Sequence, residues 1–434
     1  MKEKYLDNRT LLELLEHGTS PYHAAEWNRN YLQEAGFTEL DFKKPFAVSE
    51  GGRYYVSPYP SCIFAFMVGK HFVEACKEGS SQVRLAMAHT DSPCFKIKSR
   101  PDQITKGYRQ LNVEPYGGMI KSSWFDRPLG IAGKVVLGSE HVFAPKTVLF
   151  DSKEPFAVIP SLAPHMDREA NQKRPYDMQT EFVPVVGMLQ EGETKEDFLE
   201  NYLAERLGVD RKELLAYDLY LYNYEKPEEL GCRKGMLGSP RIDNLASVAA
   251  LSEAIGEDCS EATLAVAACM DHEEIGSRSK QGADSMLLSV VLEKLGEGLG
   301  VVLRDALLRG FLLSVDGAHA LHPNYVAKSD PTNEVLLGKG PVIKTSASQR
   351  YLSDSESTAI LKQLCEQEGI PYQLQINRSG MPGGQTLGPL VSSYLPMLGA
   401  DVGIPMLAMH SARELAAGED YRQLVQLLKK FFCL

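Results

Sequence analysis

A chain of 434 residues, with 44% apolar and 24% charged residues, exceeds the size at which one hydrophobic core stops growing, so two soluble globular domains are expected. Its 57 Asp and Glu outnumber 46 Lys and Arg, leaving a net charge of −11 spread without a basic block, which argues against nucleic acid as a partner. Eight cysteines lie scattered with no CxxC pair, the pattern of free thiols in a reducing compartment. No apolar run reaches the ~18 residues that span a bilayer, and "MKEKYLDNRTLLELLEHGTS" lacks the unbroken apolar stretch of a signal peptide. A cytoplasmic protein with no membrane partner is the expectation.

Helical spacing of apolar residues runs through "NRTLLELLEHG" and "SPYHAAEWNRNYLQEAGF", with Asn8 and Ser20 as N-caps and Gly18 and Gly36 as stops. The short apolar runs "SCIFAFMVG" and "VRLAMAHTD" read as strands. From about residue 94 to 234 the texture changes to short alternating segments, "FKIKSR", "QLNVEPYGG", "GKVVLGS" and "KTVLFD", interrupted by one helix, "KEDFLENYLAERLGV". That suits an antiparallel β domain. After residue 235 helix and strand alternate again through "LASVAALSEAI", "ATLAVAACMD", "MLLSVVLEKLGEGLG", "GFLLSVDGA", "STAILKQLCEQEGI" and "PMLAMHS". The expected architecture is an α/β, mixed-sheet domain made of residues 1–93 and 235–434, interrupted by an inserted β-rich domain over residues 94–234.

Four apolar runs end in polar clusters. "RLAMA" ends in His89 and Asp91, "TLAVAACM" in Asp271, Glu273 and Glu274, "FLLSV" in Asp316, and "PMLAM" in His410. In an open α/β sheet the carboxyl ends of strands share one edge, where ligands bind, so the four groups should converge. Asp243, in "GSPRIDNLASVAA", precedes a helix and could equally be an N-cap. Two histidines and several carboxylates are nonetheless the ligand set of dinuclear zinc hydrolases. Asp91 stands two residues beyond His89 and can accept the proton of its other ring nitrogen. Gly276 occupies the position where HExxH would need its second histidine, so a single-helix zinc motif is excluded at His272. Cys94 reads as a core thiol, and "GMPGGQTLGP" lacks the GKS/T ending of a phosphate loop.

The motifs "AHTDSP", "SPRIDNLAS", "DHEEIGS", "DGAHALHPNY", "GPVIKTSASQRY" and "AMHSAREL", with "SPYHA" and "IPSLAPHMDRE", resemble, in order and spacing, the aspartyl aminopeptidase family of dinuclear zinc metallopeptidases. The resemblance implies a zinc-peptidase catalytic domain carrying an inserted dimerisation or lid domain. It implies two zinc ions per subunit, with cobalt or manganese as possible substitutes. Asp243 would bridge them, His89 and Asp316 would complete one site, and Glu274 and His410 the other. Glu273 would be the general base and Asp91 would orient His89. His165 would reach the active site of a neighbouring subunit, in homodimers assembling into a tetrahedral homododecamer. Lys344, and less directly Arg350, would bind the side chain of an N-terminal Asp or Glu in peptide substrates with a free N-terminus. The chain departs from the family's usual wording in "TSASQRY" and "DGAHA". Those departures leave an aminopeptidase of neutral specificity open; because a fold does not fix a reaction, a deacylase on the same scaffold and a non-catalytic oligomeric shell are the further alternatives.

Overall fold

The computed structural model describes residues 8–172, 175–190, 197–256, 259–381 and 383–434. Contacts divide the chain into two compact units. One comprises Met1–Asp91, Pro227–Met409 and Glu414–Leu434, the other Ser92–Lys226 and His410–Arg413.

In the first unit a nine-stranded mixed sheet runs in the order Thr38–Leu40, Arg53–Val56, Ile63–Val68, Thr263–Met270, Gln82–His89, Phe311–Val315, Leu398–Gly403, Val342–Lys344, Gln373–Gln375. Its centre is four parallel strands, Thr263–Met270, Gln82–His89, Phe311–Val315 and Leu398–Gly403. Strands buried on both faces need apolar residues at every position, and each face here supplies a separate core. Val83, Leu85 and Met87 face one core with Leu264, Val266 and Ala268. Ala86 and Ala88 face the other with Ala265, Ala267 and Cys269. Helices Arg9–His17, Pro21–Glu34, Ile242–Ile255, Ser355–Glu368 and Gly418–Cys433 cover the alanine-rich face. Phe72–Glu78, Leu287–Leu299, Arg304–Leu308 and Leu387–Val391 cover the opposite one. The small residues let Ile242–Ile255, buried at nearly every position, lie close to the sheet.

Among the expected caps, Ser20 accepts from His23 N at 3.3 Å, with Pro21 at the first helical position. Asn8 sits at the N-cap position without capping through its side chain. Its Oδ1 instead accepts from Arg422 Nη1 at 3.2 Å.

A five-stranded sheet completes this unit, in the order Glu228–Leu230, Met236–Ser239, Glu414–Ala417, Pro405–Leu407, Ala318–His319. It corrects one expectation. The run "PMLAM" is not a fourth parallel strand of the main sheet, because Pro405–Leu407 pairs with Glu414–Ala417 and Ala318–His319. Leu398–Gly403 takes the fourth place. Pairing of Glu228–Leu230 with Met236–Ser239 also draws residues 227–234 out of the insert and into the first unit.

The second unit is an antiparallel sheet in the order Lys146–Asp151, Leu129–Leu137, Leu214–Asn223, Cys94–Thr105, Tyr108–Tyr116, Val185–Met188, with the helix Phe198–Leu207. Phe95 anchors its core, 5.2 Å from Trp124 and 5.5 Å from Phe182 between ring centroids. His410–Arg413 belongs to this unit through hydrogen bonds from Ile120 N to His410 O and from Asn223 Nδ2 to Ala412 O. None of the eight cysteines forms a disulfide. No helix among the described residues is long and apolar enough to cross a membrane.

Candidate metal centre and active site

The parallel strands bring His89, Asp316 and the Asp271–Glu274 turn to one sheet edge, since Met270 pairs with His89 and Phe311–Val315 lies on the other side of the His89 strand. His89 is 1% exposed. Its Nδ1 lies 3.0 Å from the Asp91 carbonyl and 3.3 Å from Asp91 Oδ1. With acceptors on that side, the proton belongs on Nδ1 and the lone pair on Nε2. The closer acceptor is thus the backbone carbonyl of Asp91. Its carboxylate takes a second task, accepting from Glu273 N through Oδ1 and Glu274 N through Oδ2, each at 3.2 Å. Two consecutive amides can share one carboxylate because His272 adopts left-handed φ of 65° and the chain turns at once into Glu273–Ile275. The strand therefore ends in two glutamates whose backbones hang from a buried aspartate.

Asp243 lies ahead of the regular turns of its helix, at φ −78° and ψ 107°. Its N–H donates to Glu414 Oε2 at 2.9 Å, and Asn244 Nδ2 donates to Val315 O at 2.9 Å. This pair of bonds ties the start of the helix to both sheets of the unit. Asp316 is fixed by its N–H to Val402 O at 3.0 Å and by Gly317 N to Oδ1 at 2.7 Å. The neighbouring strand passes so close that a Cβ on Gly403 would lie 1.5 Å from Asp316 O.

Around His89 Nε2, Asp243 Oδ1 lies at 3.6 Å and Asp316 Oδ1 at 3.5 Å. A charge-assisted hydrogen bond would close to roughly 2.7–2.9 Å. Tetrahedral zinc with bonds of roughly 2.0–2.1 Å separates its donors by about 3.3–3.4 Å. The observed spacing fits a metal better than a shared proton. Ligand atoms of His89, Asp243 and Asp316 all lie within 4.8 Å of one another, as do those of His89, Glu273 and Glu274. Imidazole with hard carboxylates is a zinc-type donor set.

Electrostatics agree. Burial alone would keep His89 neutral, yet Asp243, Asp316 and Asp91 outweigh it and hold its pKa well above the ordinary value. Burial, with the charges of Asp316, Asp91 and Asp243, pushes the Glu273 carboxyl up to about 8 against the lowering effect of His89. Such crowding of carboxylates calls for a cation.

Lys344 is buried rather than exposed on the surface. It is 1% exposed, donates from Nζ to Asp316 O at 3.2 Å and Gly317 O at 3.1 Å, and lies over the Tyr351 ring at 5.2 Å. Burial lowers its pKa, but Asp316, Asp401, Tyr351 and Asp243 raise it overall, so the ammonium stays charged. Arg350 is exposed, and among the described residues no hydrogen bond or ion pair joins its guanidinium to this cluster. His165 lies exposed on a turn of the second unit. His410, also in that unit, has a φ of 65° and its Nδ1 2.8 Å from Gly118 O, which leaves Nε2 as its donor atom.

Three supporting residues had no legible role in the sequence. Glu414 and Asn244 hold Asp243, as above. Gln281 donates from Nε2 to Asp271 Oδ2 at 2.9 Å, while Asp271 Oδ1 accepts His272 N at 2.7 Å. Asp271 therefore stiffens the glutamate turn.

A histidine and carboxylate centre at the carboxyl edge of an α/β sheet, with a half-buried glutamate beside it, defines a metal-dependent hydrolase. The chain belongs to the M18 family: residues 14–432 match the family described as aminopeptidase I zinc metalloprotease. It is 39% identical over 439 residues to the "Probable M18 family aminopeptidase 2" of Clostridium acetobutylicum, covering 100% of both chains. Identity to the protein of the same name in Ectopseudomonas mendocina is 39% over 437 residues, covering 100% of this chain and 99% of the relative. Among solved structures, Ape4 in complex with Nbr1 superposes with a TM-score of 0.91 at 32% identity, over 99% of this chain and 86% of that one. The crystal structure of prApe1 gives 0.90 at 26% identity, over 98% and 94%. The protein is a zinc metallo-aminopeptidase, a hydrolase of peptide bonds.

Proposed function

We propose that this enzyme releases N-terminal Asp or Glu from peptides at a two-zinc site, with Glu273 as general base. The observation that carries the reading is the grouping of His89, Asp243 and Asp316 beside two glutamates whose amides share the Asp91 carboxylate. His89 and Asp316 would hold one ion, Glu274 and His410 the other, and Asp243 both; cobalt or manganese could replace zinc. Bound zinc supplies polarisation of the scissile carbonyl and acidification of the attacking water. Glu273 takes a proton from that water as its oxygen attacks the carbonyl carbon, then delivers the proton to the departing amine as the C–N bond breaks. The pKa of about 8 in the metal-free site falls when positive charge arrives, which leaves Glu273 ionised and basic at neutral pH. Asp91 keeps both glutamates in place and fixes the His89 tautomer.

Acidic preference rests on Lys344. Two of its three N–H donors reach Asp316 O and Gly317 O, leaving one for a substrate carboxylate; Arg350 is the weaker candidate. For assembly, the relevant support is a structure of the Saccharomyces mApe1 dodecamer, similar at a TM-score of 0.83 and 25% identity. That likeness supports a dodecamer; the motif resemblance further implies that the inserted β unit pairs subunits into dimers of a tetrahedral homododecamer, with His165 reaching a neighbour's active site. The lack of disulfides among the eight cysteines supports a cytoplasmic location.

Glu273→Gln and Glu274→Gln together test the assignment. The first should keep near-normal zinc content while turnover falls by roughly 10²–10⁴-fold; the second should lose zinc. The reverse pattern would exchange the two roles.

A further inference from the structure

Beyond the metal ligands lies a cavity of about 280 Å³, whose walls include His319, His322, Lys328, Gln375, Asn377 and Arg378. We infer that this cavity is a subsite for a carboxylate-bearing residue on the leaving-group side of the peptide, an inference that rests on the aminopeptidase reading above.

Three observations carry it. The first is charge. Lys328 and Arg378 are exposed at the cavity, and among the described residues neither head group makes an ion pair. The wall's one acidic residue, Asp330, stays ionised and turns its Oδ1 to its own loop, accepting from Thr332 N and Oγ1 and from Asn333 N and Nδ2, so two cations stand against one anion. The cavity thus presents a net positive lining to an anion.

The second is a buried acceptor. Gln375 is 4% exposed, and its Nε2 donates to Asn377 Oδ1 at 3.3 Å. Its Oε1 is buried with no hydrogen-bond partner. A buried amide oxygen left unsatisfied costs about 1–3 kcal/mol, so a ligand that brings an N–H would be favoured. A peptide substrate of an aminopeptidase brings both an N–H donor and a carboxylate.

The third is distance. Asp316 and His319 are three residues apart, and Ala318–His319 is extended, so the cavity wall begins within about 10 Å of the metal ligand. Gln375, also in the lining, pairs in register with Lys344, whose Nζ holds the Asp316 and Gly317 carbonyls. About 10 Å is the span of two to three extended residues. A substrate whose first peptide bond lies at the metal would place its third residue at this cavity.

The test uses the zinc-loaded full-length enzyme and four peptides: Asp-Ala-Glu amide, Asp-Ala-Gln amide, Asp-Ala-Lys amide, and Asp-Ala-Gln with a free C-terminus. For the wild type, kcat/KM should fall by about three- to fivefold from the Glu to the Gln amide and again to the Lys amide, the scale of a partly exposed ion pair. Arg378→Gln should bring the Glu and Lys amides to within about twofold of each other. Gln375→Met should raise KM for all four peptides with kcat little changed. Should that buried substitution not fold, the exposed Arg378→Gln still decides. A free acid cleaved faster than its amide, with the advantage lost in Arg378→Gln, assigns the cavity to the C-terminal carboxylate instead of a side chain. Equal wild-type rates on the Glu and Lys amides, or a ratio untouched by Arg378→Gln, overturn the subsite and leave the aminopeptidase standing. Failure to cleave any of the four overturns the acidic-aminopeptidase reading, and the subsite falls with it.

Discussion

Replacing Asp91 by Asn keeps the volume of the side chain and removes one acceptor. Asp91 is fully buried and its two carboxylate oxygens receive Glu273 N and Glu274 N, each at 3.2 Å. An amide has one oxygen, so one glutamate N–H would face an NH2 group. An unsatisfied buried donor costs about 1–3 kcal/mol. Because that cost falls on the turn carrying both glutamates and on the residue holding His89, it should be felt in metal binding. Loss of such a supporting partner typically weakens affinity by about 10–100-fold, equivalent to about 1.4–2.7 kcal/mol, and the two estimates overlap. Competition against a chromogenic chelator measures zinc affinity directly. Thermal unfolding of the zinc-free protein separates a local loss from a general one. Asp91→Asn binding zinc within about twofold of wild type, with kcat preserved, would refute the role given to this carboxylate.

Gly403→Ala places a carbon 1.5 Å from Asp316 O, so the two strands must part; stability should drop by ~1–3 kcal/mol or more, with zinc lost alongside, as thermal unfolding and metal analysis would record. Gly187→Ala, where the new carbon meets nothing within 4 Å, should leave both unchanged. The metal-free site should also bind zinc in a pH-dependent way. Glu273, raised by burial and neighbouring carboxylates to about 8, holds a proton at neutral pH that the zinc-loaded state must release. Affinity should therefore rise as pH increases through about 8, and go on rising until His89, also held well above its ordinary value, gives up its second proton. Calorimetry in buffers of different ionisation enthalpy would count the released protons, and an affinity that is flat or falling over that range would contradict the assignment.

How far the sequence reads is clearest at the strand ends. Apolar runs closing in His89, Glu273 and Glu274, and Asp316 mark the sheet edge because parallel strands must end together. The same rule misplaced "PMLAM". Its apolar content matches a central strand, yet Ile404 and Pro405 turn the chain out of Leu398–Gly403 and into the smaller sheet, and single-strand composition carries no pairing partner. Asp243 was ambiguous between cap and ligand because its non-helical backbone has no sequence signature. Lys344 gave no sign of burial: the carbonyls that stabilise its ammonium come from Asp316 and Gly317, distant in sequence. Glu414 lay inside a recognised motif, but its partner, the Asp243 amide, is 171 residues away. Local patterns reveal which residues carry chemistry; long-range hydrogen bonds decide what holds them.

The most direct test of the account is a set of initial rates on peptides with free N-terminal Asp, Glu, Leu or Lys and on an acetylated control, measured before chelation, after it, and after zinc is restored. Cleavage confined to free N-termini, fastest on Asp or Glu, abolished by chelator and recovered with zinc, is the predicted result. Fastest release of Leu would contradict the acidic pocket at Lys344, and hydrolysis of the acetylated peptide alone would contradict the proposed function itself.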